Sequence, residues 1–164
     1  GQKIVALILG GPNKYYSFDN EEISKIFDQI KISFISKGYK VVVIPSMRTP
    51  KKTIQLAKEK LINNTHIVSE VDKKSYLSSF AIANSIIVTC DSTSMISEAA
   101  VSGKPIFVAH MKTKRNNYRF KRFFQLFRDM GITKNLGEKV EEWNYNNLNE
   151  SKRIAELINQ KINK

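Results

Sequence analysis

Residues 88–110 read VTCDSTSMISEAAVSGKPIFVAH. An apolar run stops at Asp91, three hydroxyl residues follow, an Ala-rich helical pattern carries Glu98, and Gly103-Lys104-Pro105 leads into a second apolar run. Two apolar runs joined by a short helical pattern predict parallel strands with a helical crossover. The same alternation extends outward. KIVALIL (3–9) and YKVVVIP (39–45) are continuous apolar runs, which suit strands buried on both faces. Between them Ile23, Ile26, Phe27, Ile30 and Phe34 recur at helical spacing over 19–37, with Gly38 as the stop. Pro50 opens a helix whose apolar members are Ile54, Ala57, Leu61 and Ile62. HIVS (66–69) reads as a third strand, and Tyr76, Leu77, Phe80 and Ala81 mark the next helix. SIIVTC (85–90) is the fourth strand, 93–102 a short helix and PIFVAH (105–110) the fifth strand. Phe120, Phe123, Phe124 and Phe127 form an aromatic stripe at helical spacing, which faces a core. Residues 132–148 are irregular, with room for a sixth short strand, and Ile154, Leu157, Ile158 and Ile162 predict a final amphipathic helix.

Strands alternating with helices at this spacing predict an α/β fold: a Rossmann-like parallel sheet of five or six strands flanked by helices, with right-handed crossovers. Ligands in such sheets sit beyond the carboxyl ends of the strands, where the strand order reverses. For the order 3-2-1-4-5 that point lies between strands one and four. Their carboxyl ends carry GGPNKYY (10–16) and DSTS (91–94).

The chemistry expected there follows from residue type. Gly10 and Gly11 allow close approach to the backbone, so their amides can face an anion; a tight turn is the plain alternative. Ser92, Thr93 and Ser94 open a helix, whose amino terminus suits phosphate; ordinary capping by Asp91 or Ser92 is the plain alternative, and both can hold together. Glu98, flanked by Ile96, Ala99 and Ala100, suits the two vicinal hydroxyls of a ribose, or is simply an exposed helix glutamate. Arg48, in SMRTP after strand two, can clamp phosphate through its planar fork, or lie on the surface. His66 and His110 stand apart from each other and from Cys90, so no metal spacing is present and no metal is expected.

The 164 residues are 41% hydrophobic and suffice for one domain with a core of its own. No apolar run approaches the roughly 20 residues of a membrane-spanning helix, and no signal-peptide pattern is present. Gly1 reads as a residue left by cloning, and the chain as a piece of something longer. A single cysteine excludes an internal disulfide and a cysteine metal cluster. The formal charge of +12 suits an anionic partner, but abundant lysine on helix surfaces produces the same number. The densest basic stretch, KTKRNNYRFKR (112–122), holds six basic residues and no acid, and reads first as a solvated face.

GGPNKYYSFD (10–19), PSMRTP (45–50), VTCDSTSMISEAAVSGKPIFV (88–108), Arg119-Phe120 and Trp143-Asn144-Tyr145 together resemble the bacterial family related to the plant elongated-mitochondria, or mitochondrial fission, protein. That family has the type-B glycosyltransferase fold. The resemblance runs along nearly the whole chain and covers what would be its carboxyl-terminal half, so residues 1–164 are expected to form one Rossmann-like domain of a two-domain protein. More distantly, the pattern is similar to the donor-binding halves of the murein-synthesis N-acetylglucosamine transferase and the lipid A Kdo transferases. This implies that Gly10, Gly11, Ser92 and Thr93 lie near the donor diphosphate and that Glu98 holds the ribose. Pro12-Asn13-Lys14 stands where the murein enzyme's loop has Ser-Gln-Gly.

The resemblance implies a nucleotide-sugar donor as substrate, with no separate cofactor, for transfer onto an envelope lipid or saccharide. The catalytic base in this fold often comes from the other half, so no catalytic residue is assigned, and the fragment alone is not expected to be active. The competing class is a non-catalytic scaffold that recruits protein partners at a membrane, as the plant members are described. Nucleic acid is a weaker third class, because the phenylalanine stripe faces inward. The expected location is the cytoplasm, with peripheral contact at the inner face of the membrane as its extension.

Overall fold

A computed structural model describes residues 1–69, 72–146 and 159–160. Within them lie β1 (Ile4–Leu9), α1 (Asn20–Ser33), β2 (Lys40–Pro45), α2 (Lys51–Lys60), β3 (Thr65–Ile67), α3 (Lys73–Ile82), β4 (Ser85–Thr89), α4 (Thr93–Ala100), β5 (Ile106–Ala109), α5 (Tyr118–Asp129) and β6 (Thr133–Asn135). The strands form one sheet in the order β3-β2-β1-β4-β5-β6, and every pairing is parallel. The predicted Rossmann-like α/β class, the strand order and the sixth strand are all present. The predicted final helix, with Ile154, Leu157, Ile158 and Ile162, lies outside the described residues.

β1 is central, with Leu7 opposite Val43 on one side and Ile87 on the other. Val5 to Leu9 and Ile86 to Val88 are fully shielded from solvent, as continuous apolar runs require. At the amino-terminal edge Asn84 closes the β1–β4 seam. Its backbone N–H donates to the Ile4 carbonyl at 2.7 Å, and its side-chain oxygen accepts from the Ile4 amide at 2.8 Å. α1 packs on α2. Right-handed crossovers put those two on one face and α3, α4 and α5 on the other.

Three local expectations are revised. The helix predicted to run to Lys37 stops at Ser33, and a 3-10 turn over Ile35–Lys37 follows, closed by Gly38 at φ 86°. Phe34 leaves helical geometry at φ −122° to bury its ring edge-on against Tyr39 and Phe107. Ile62 is 60% exposed, because α2 ends at Lys60 and Leu61 fills the core position beyond it. Leu77 and Ala81 face outward on α3, which buries Phe80 as predicted and Ser79 beside it. The stripe on α5 behaves as predicted. Phe123 and Phe127 are buried and stacked at 4.3 Å, with Phe120 and Phe124 half-buried beside them.

After β6 the chain folds back. Trp143 packs edge-on against Phe107 and donates its indole N–H to the Gly131 carbonyl at 2.9 Å. The Tyr145 hydroxyl donates to the Lys104 carbonyl at 2.7 Å. Glu138 pins the short edge strand. It accepts both guanidinium nitrogens of Arg128, at 2.7 and 2.8 Å, and the Asn135 amide at 2.6 Å.

The hydrogen bonds from Arg128 and Asn135 hold the Glu138 carboxyl at about 2, below the ordinary value of 4.5. A depressed folded-state pKa gives stability that is present above the unfolded value and lost as pH falls through the folded one. Glu138→Gln should therefore lower the thermal midpoint at neutral pH. The gap to the native protein should narrow as pH falls from about 4.5 towards 2, and a gap independent of pH would contradict this role.

Candidate functional site

The carboxyl ends of β1 and β4 meet over one side chain. Asp91 follows β4 with its carboxylate wholly buried. Its Oδ2 accepts the Gly11 amide at 3.0 Å and Arg48 Nη2 at 3.1 Å. The glycines are small for this reason. A Cβ on Gly10 would lie 2.0 Å from Asp91 Oδ2, and one on Gly11 would lie 2.3 Å from the Arg48 carbonyl oxygen. Neither glycine takes a positive φ, so close approach is what excludes a side chain. The approaching group belongs to the protein itself.

The rest of the loop is held by its neighbours. The Gly10 amide donates to Thr89 Oγ1 at 2.9 Å, and the Gly10 carbonyl accepts the hydroxyls of Thr49 at 2.6 Å and Ser46 at 3.1 Å. Asn13 shapes the turn. Its side-chain oxygen accepts the Tyr15 and Tyr16 amides, both at 2.9 Å, while its Nδ2 donates to the Asp91 carbonyl at 3.2 Å. The two amides expected to face a ligand anion are thus already donated, to a hydroxyl and to an internal carboxylate. Arg48 lies on the rim as predicted, 46% exposed along its side chain, with its fork engaged by Asp91.

α4 begins at the same rim. Ser92, rather than Asp91, is its cap, accepting the Met95 amide at 3.3 Å and lying 3.2 Å from the Ser94 hydroxyl. Ser92 is buried and Thr93 half-buried, and the cleft beside the helix is lined by other residues. That cleft, about 710 Å³, lies between α3 and α4 beyond the ends of β1 and β2. Ile8, Ile44, Pro45 and Met95 give it apolar walls, and Lys73, Tyr76, Ser94 and Glu98 give it polar groups. Ser94 and Glu98 are four residues apart on α4, hence on one face. Glu98 is exposed and points to this space rather than to the sheet.

Of the predicted residues, the structure brings Gly10, Gly11 and Arg48 into one cluster around Asp91, which was not among them, and Glu98 into the neighbouring cleft, with Ser92 and Thr93 at the start of α4. Tyr76 and Lys73 on the opposite wall escaped notice in the sequence. Tyr76 sits in an apolar helical pattern, and only the outward turn of Leu77 would have revealed that α3 has a second, cleft-facing side. Among the described residues the Tyr76 hydroxyl has no hydrogen-bond partner. Burial raises its pKa above the ordinary phenol value, and the Glu98 carboxylate across the cleft adds to the rise. Among the described residues no group of three His, Cys, Asp or Glu side chains is placed to share a metal ion. No helix there is long and apolar enough to cross a membrane.

Solved structures share this fold at low sequence identity. The S. aureus MnaA–UDP co-structure superposes with a TM-score of 0.60 at 14% identity, covering 94% of this chain and 36% of that one. The Neisseria meningitidis UDP-GlcNAc 2-epimerase bound to UDP-GlcNAc gives 0.54 at 15% identity, covering 99% and 36%. A parallel sheet with its switch point between β1 and β4, and a cleft on that rim, define a Rossmann-like domain of the type-B glycosyltransferase fold. The chain belongs to the family described as Mitochondrial fission ELM1, which it matches over residues 1–162. It is 36% identical over 181 residues to the uncharacterised protein RP120 of Rickettsia prowazekii (strain Madrid E), covering 99% of this chain and 48% of that protein. It is 23% identical over 167 residues to the mitochondrial fission protein ELM1 of Arabidopsis thaliana, covering 97% and 38%. The chain thus spans less than half the length of these curated relatives.

Gly10→Ala should destabilise the fold by about 1–3 kcal/mol, the usual cost of overpacking. Asp91→Ala removes the atoms that the new methyl group meets. The double variant should therefore lose less than the sum of the two singles in denaturant unfolding. Simple additivity would show that the carboxylate is not what keeps position 10 bare.

Proposed function

We propose that the cleft between α3 and α4 binds the nucleoside diphosphate part of a nucleotide sugar, and that the chain is the carboxyl-terminal, donor-binding part of a glycosyltransferase acting on an envelope lipid or saccharide. The observation that carries this is Glu98 standing in the cleft four residues beyond Ser94, on a helix that starts at the switch point. A carboxylate accepts the two hydroxyls of a ribose. The amino terminus of α4, with the Ser94 hydroxyl and Lys73 opposite, suits the diphosphate. Arg48 is the reserve cation on the rim. Gly10 and Gly11, with Ser92 and Thr93, stand on the adjoining rim and do not line the cleft. Nucleotides in the S. aureus and Neisseria proteins support the assignment by likeness of fold.

Calorimetric titration with uridine, cytidine, guanosine and adenosine diphosphates, using the protein expressed from its whole gene, tests this. One of the four should bind. A hydrogen bond to a charged group contributes about 1.5–3 kcal/mol, so Glu98→Gln should weaken that binding by roughly ten- to a hundredfold. Ser94→Ala should cost less, because the backbone amides remain. Binding by none of the four, or undiminished binding by Glu98→Gln, overturns the assignment.

A second reading rests on exposed apolar residues that line the same cleft. Leu77 on α3 is 52% exposed and Val101 after α4 is 49% exposed. Such residues suit a scaffold that recruits protein partners at a membrane, the class the family description suggests. Hydrolysis of a nucleotide sugar by the intact protein, with no stable protein partner, would remove it.

A further inference from the structure

The basic run 112–122, on the loop after β5 and the start of α5, lines none of the cleft. Within the cleft, one polar group stands unpaired: the Tyr76 hydroxyl. The Tyr76 ring is held edge-on against Phe80, one turn further along α3, with the centroids 4.7 Å apart. Phe80 is buried in the core, so the ring has a fixed seat and its hydroxyl a fixed place. That hydroxyl is shielded from solvent and has no hydrogen-bond partner among the described residues. A buried hydroxyl left unpaired costs stability, and a fold that keeps one has a use for it or a partner still to come.

One charged group is close enough to be felt by it. Burial raises the Tyr76 pKa, and the Glu98 carboxylate on α4 raises it further. The phenol therefore keeps its proton through the neutral range and stands as a donor. The two are neighbours, yet the hydroxyl lies outside hydrogen-bond geometry. Glu98 is exposed, and its carboxylate enters no ion pair among the described residues. Its side chain is free to turn, whereas the tyrosine ring is not.

The pair selects a ligand by what each member lacks. A carboxylate offers about four lone-pair sites, so one spent on Tyr76 leaves the others for a ligand. A phosphate is repelled by Glu98. An apolar group leaves both partners unpaired. An ammonium group meets the carboxylate whichever way it turns. Two adjacent hydroxyls need it in one orientation, with its free lone pairs facing the cleft. A fixed donor beside a mobile carboxylate supplies that orientation.

We propose that Tyr76 is a positioning residue for Glu98: with a diol-bearing ligand in the cleft, the carboxylate turns onto the Tyr76 hydroxyl, accepts its hydrogen, and is thereby fixed to receive the two ribose hydroxyls. This rests on the cleft taking a nucleoside diphosphate, and it adds the reason why a ribose is preferred to a sugar without the diol. Tyr76 acts through Glu98 and does not touch the ligand. Its unpaired hydroxyl belongs to the ligand-free state, and pairing it is part of what binding gains.

The test is calorimetry on the protein expressed from its whole gene. The probes are whichever of the uridine, cytidine, guanosine and adenosine diphosphates binds it, and the 2′,3′-dideoxy form of the same nucleotide. Tyr76→Phe keeps the ring and removes the hydroxyl. It should weaken the ribonucleotide by roughly tenfold and leave the dideoxy form unchanged, whereas a merely structural role would weaken both alike. Without ligand, the thermal midpoint of Tyr76→Phe should equal or exceed the native one, because an unpaired buried donor has gone. On a Glu98→Ala background, Tyr76→Phe should cost nothing more. Native affinity in Tyr76→Phe, an equal loss for both nucleotides, the full loss on the Glu98→Ala background, or a lower ligand-free midpoint each overturns the proposal. If binding depends on Glu98 but not on Tyr76, the nucleotide site stands and the positioning role alone falls. Binding of none of the four diphosphates removes both.

Discussion

A buried carboxylate laid over two glycines is the constraint on which the rim of this molecule depends. Asp91 leaves β4 and closes against Gly10 and Gly11 at the end of β1, drawing Arg48 in from the end of β2. Three neighbouring strands are thereby tied at one point by a single side chain. A buried charge is costly unless paired and hydrogen-bonded, and here it has both an amide and a guanidinium. Asp91 Oδ1 remains without a partner among the described residues, so the pairing is incomplete on one oxygen. The hydroxyls of Thr89, Thr49 and Ser46 then satisfy the backbone of Gly10 on either side. The place where a sheet of this kind opens to a ligand is thus built from internal polar contacts first.

This explains how far the sequence could be read. Strand identity and order were legible because β1, β2, β4 and β5 are continuous apolar runs with helical patterns between them, and parallel chain geometry leaves few other orders. That a cleft opens at the carboxyl ends of the central strands followed from topology alone. Residue roles were harder. A glycine pair after a strand looks the same whether the approaching anion is a ligand or the protein's own aspartate. Asp91 and Ser92 are both good caps by type, and only the tertiary pull of the glycine loop decides that the serine caps α4. Leu77 was misplaced for a similar reason: an apolar residue at helical spacing is assigned to the core unless the cleft beside it is known. Glu98 drew attention because apolar residues flank it in sequence, although on the helix it lies with Ser94 on the outward face.

The cleft and the basic rim divide the surface between them. The first is a partly apolar space with a carboxylate, a hydroxyl and an ammonium on facing helices, the sort of place where a small polar molecule is oriented. The second is exposed, positive and carried on a pinned loop. They are built from different segments after different strands. Family membership is consistent with either serving as the principal function, since fold alone does not fix activity.

The division has an evolutionary side. The groups that hold the strand ends together point inward and satisfy one another, while Glu98 and Ser94 project from the outer face of a short helix. Replacing the outward residues costs the sheet little, whereas replacing Asp91 or either glycine disturbs three strands at once. Descendants of such a domain can therefore lose or exchange a ligand while keeping the architecture.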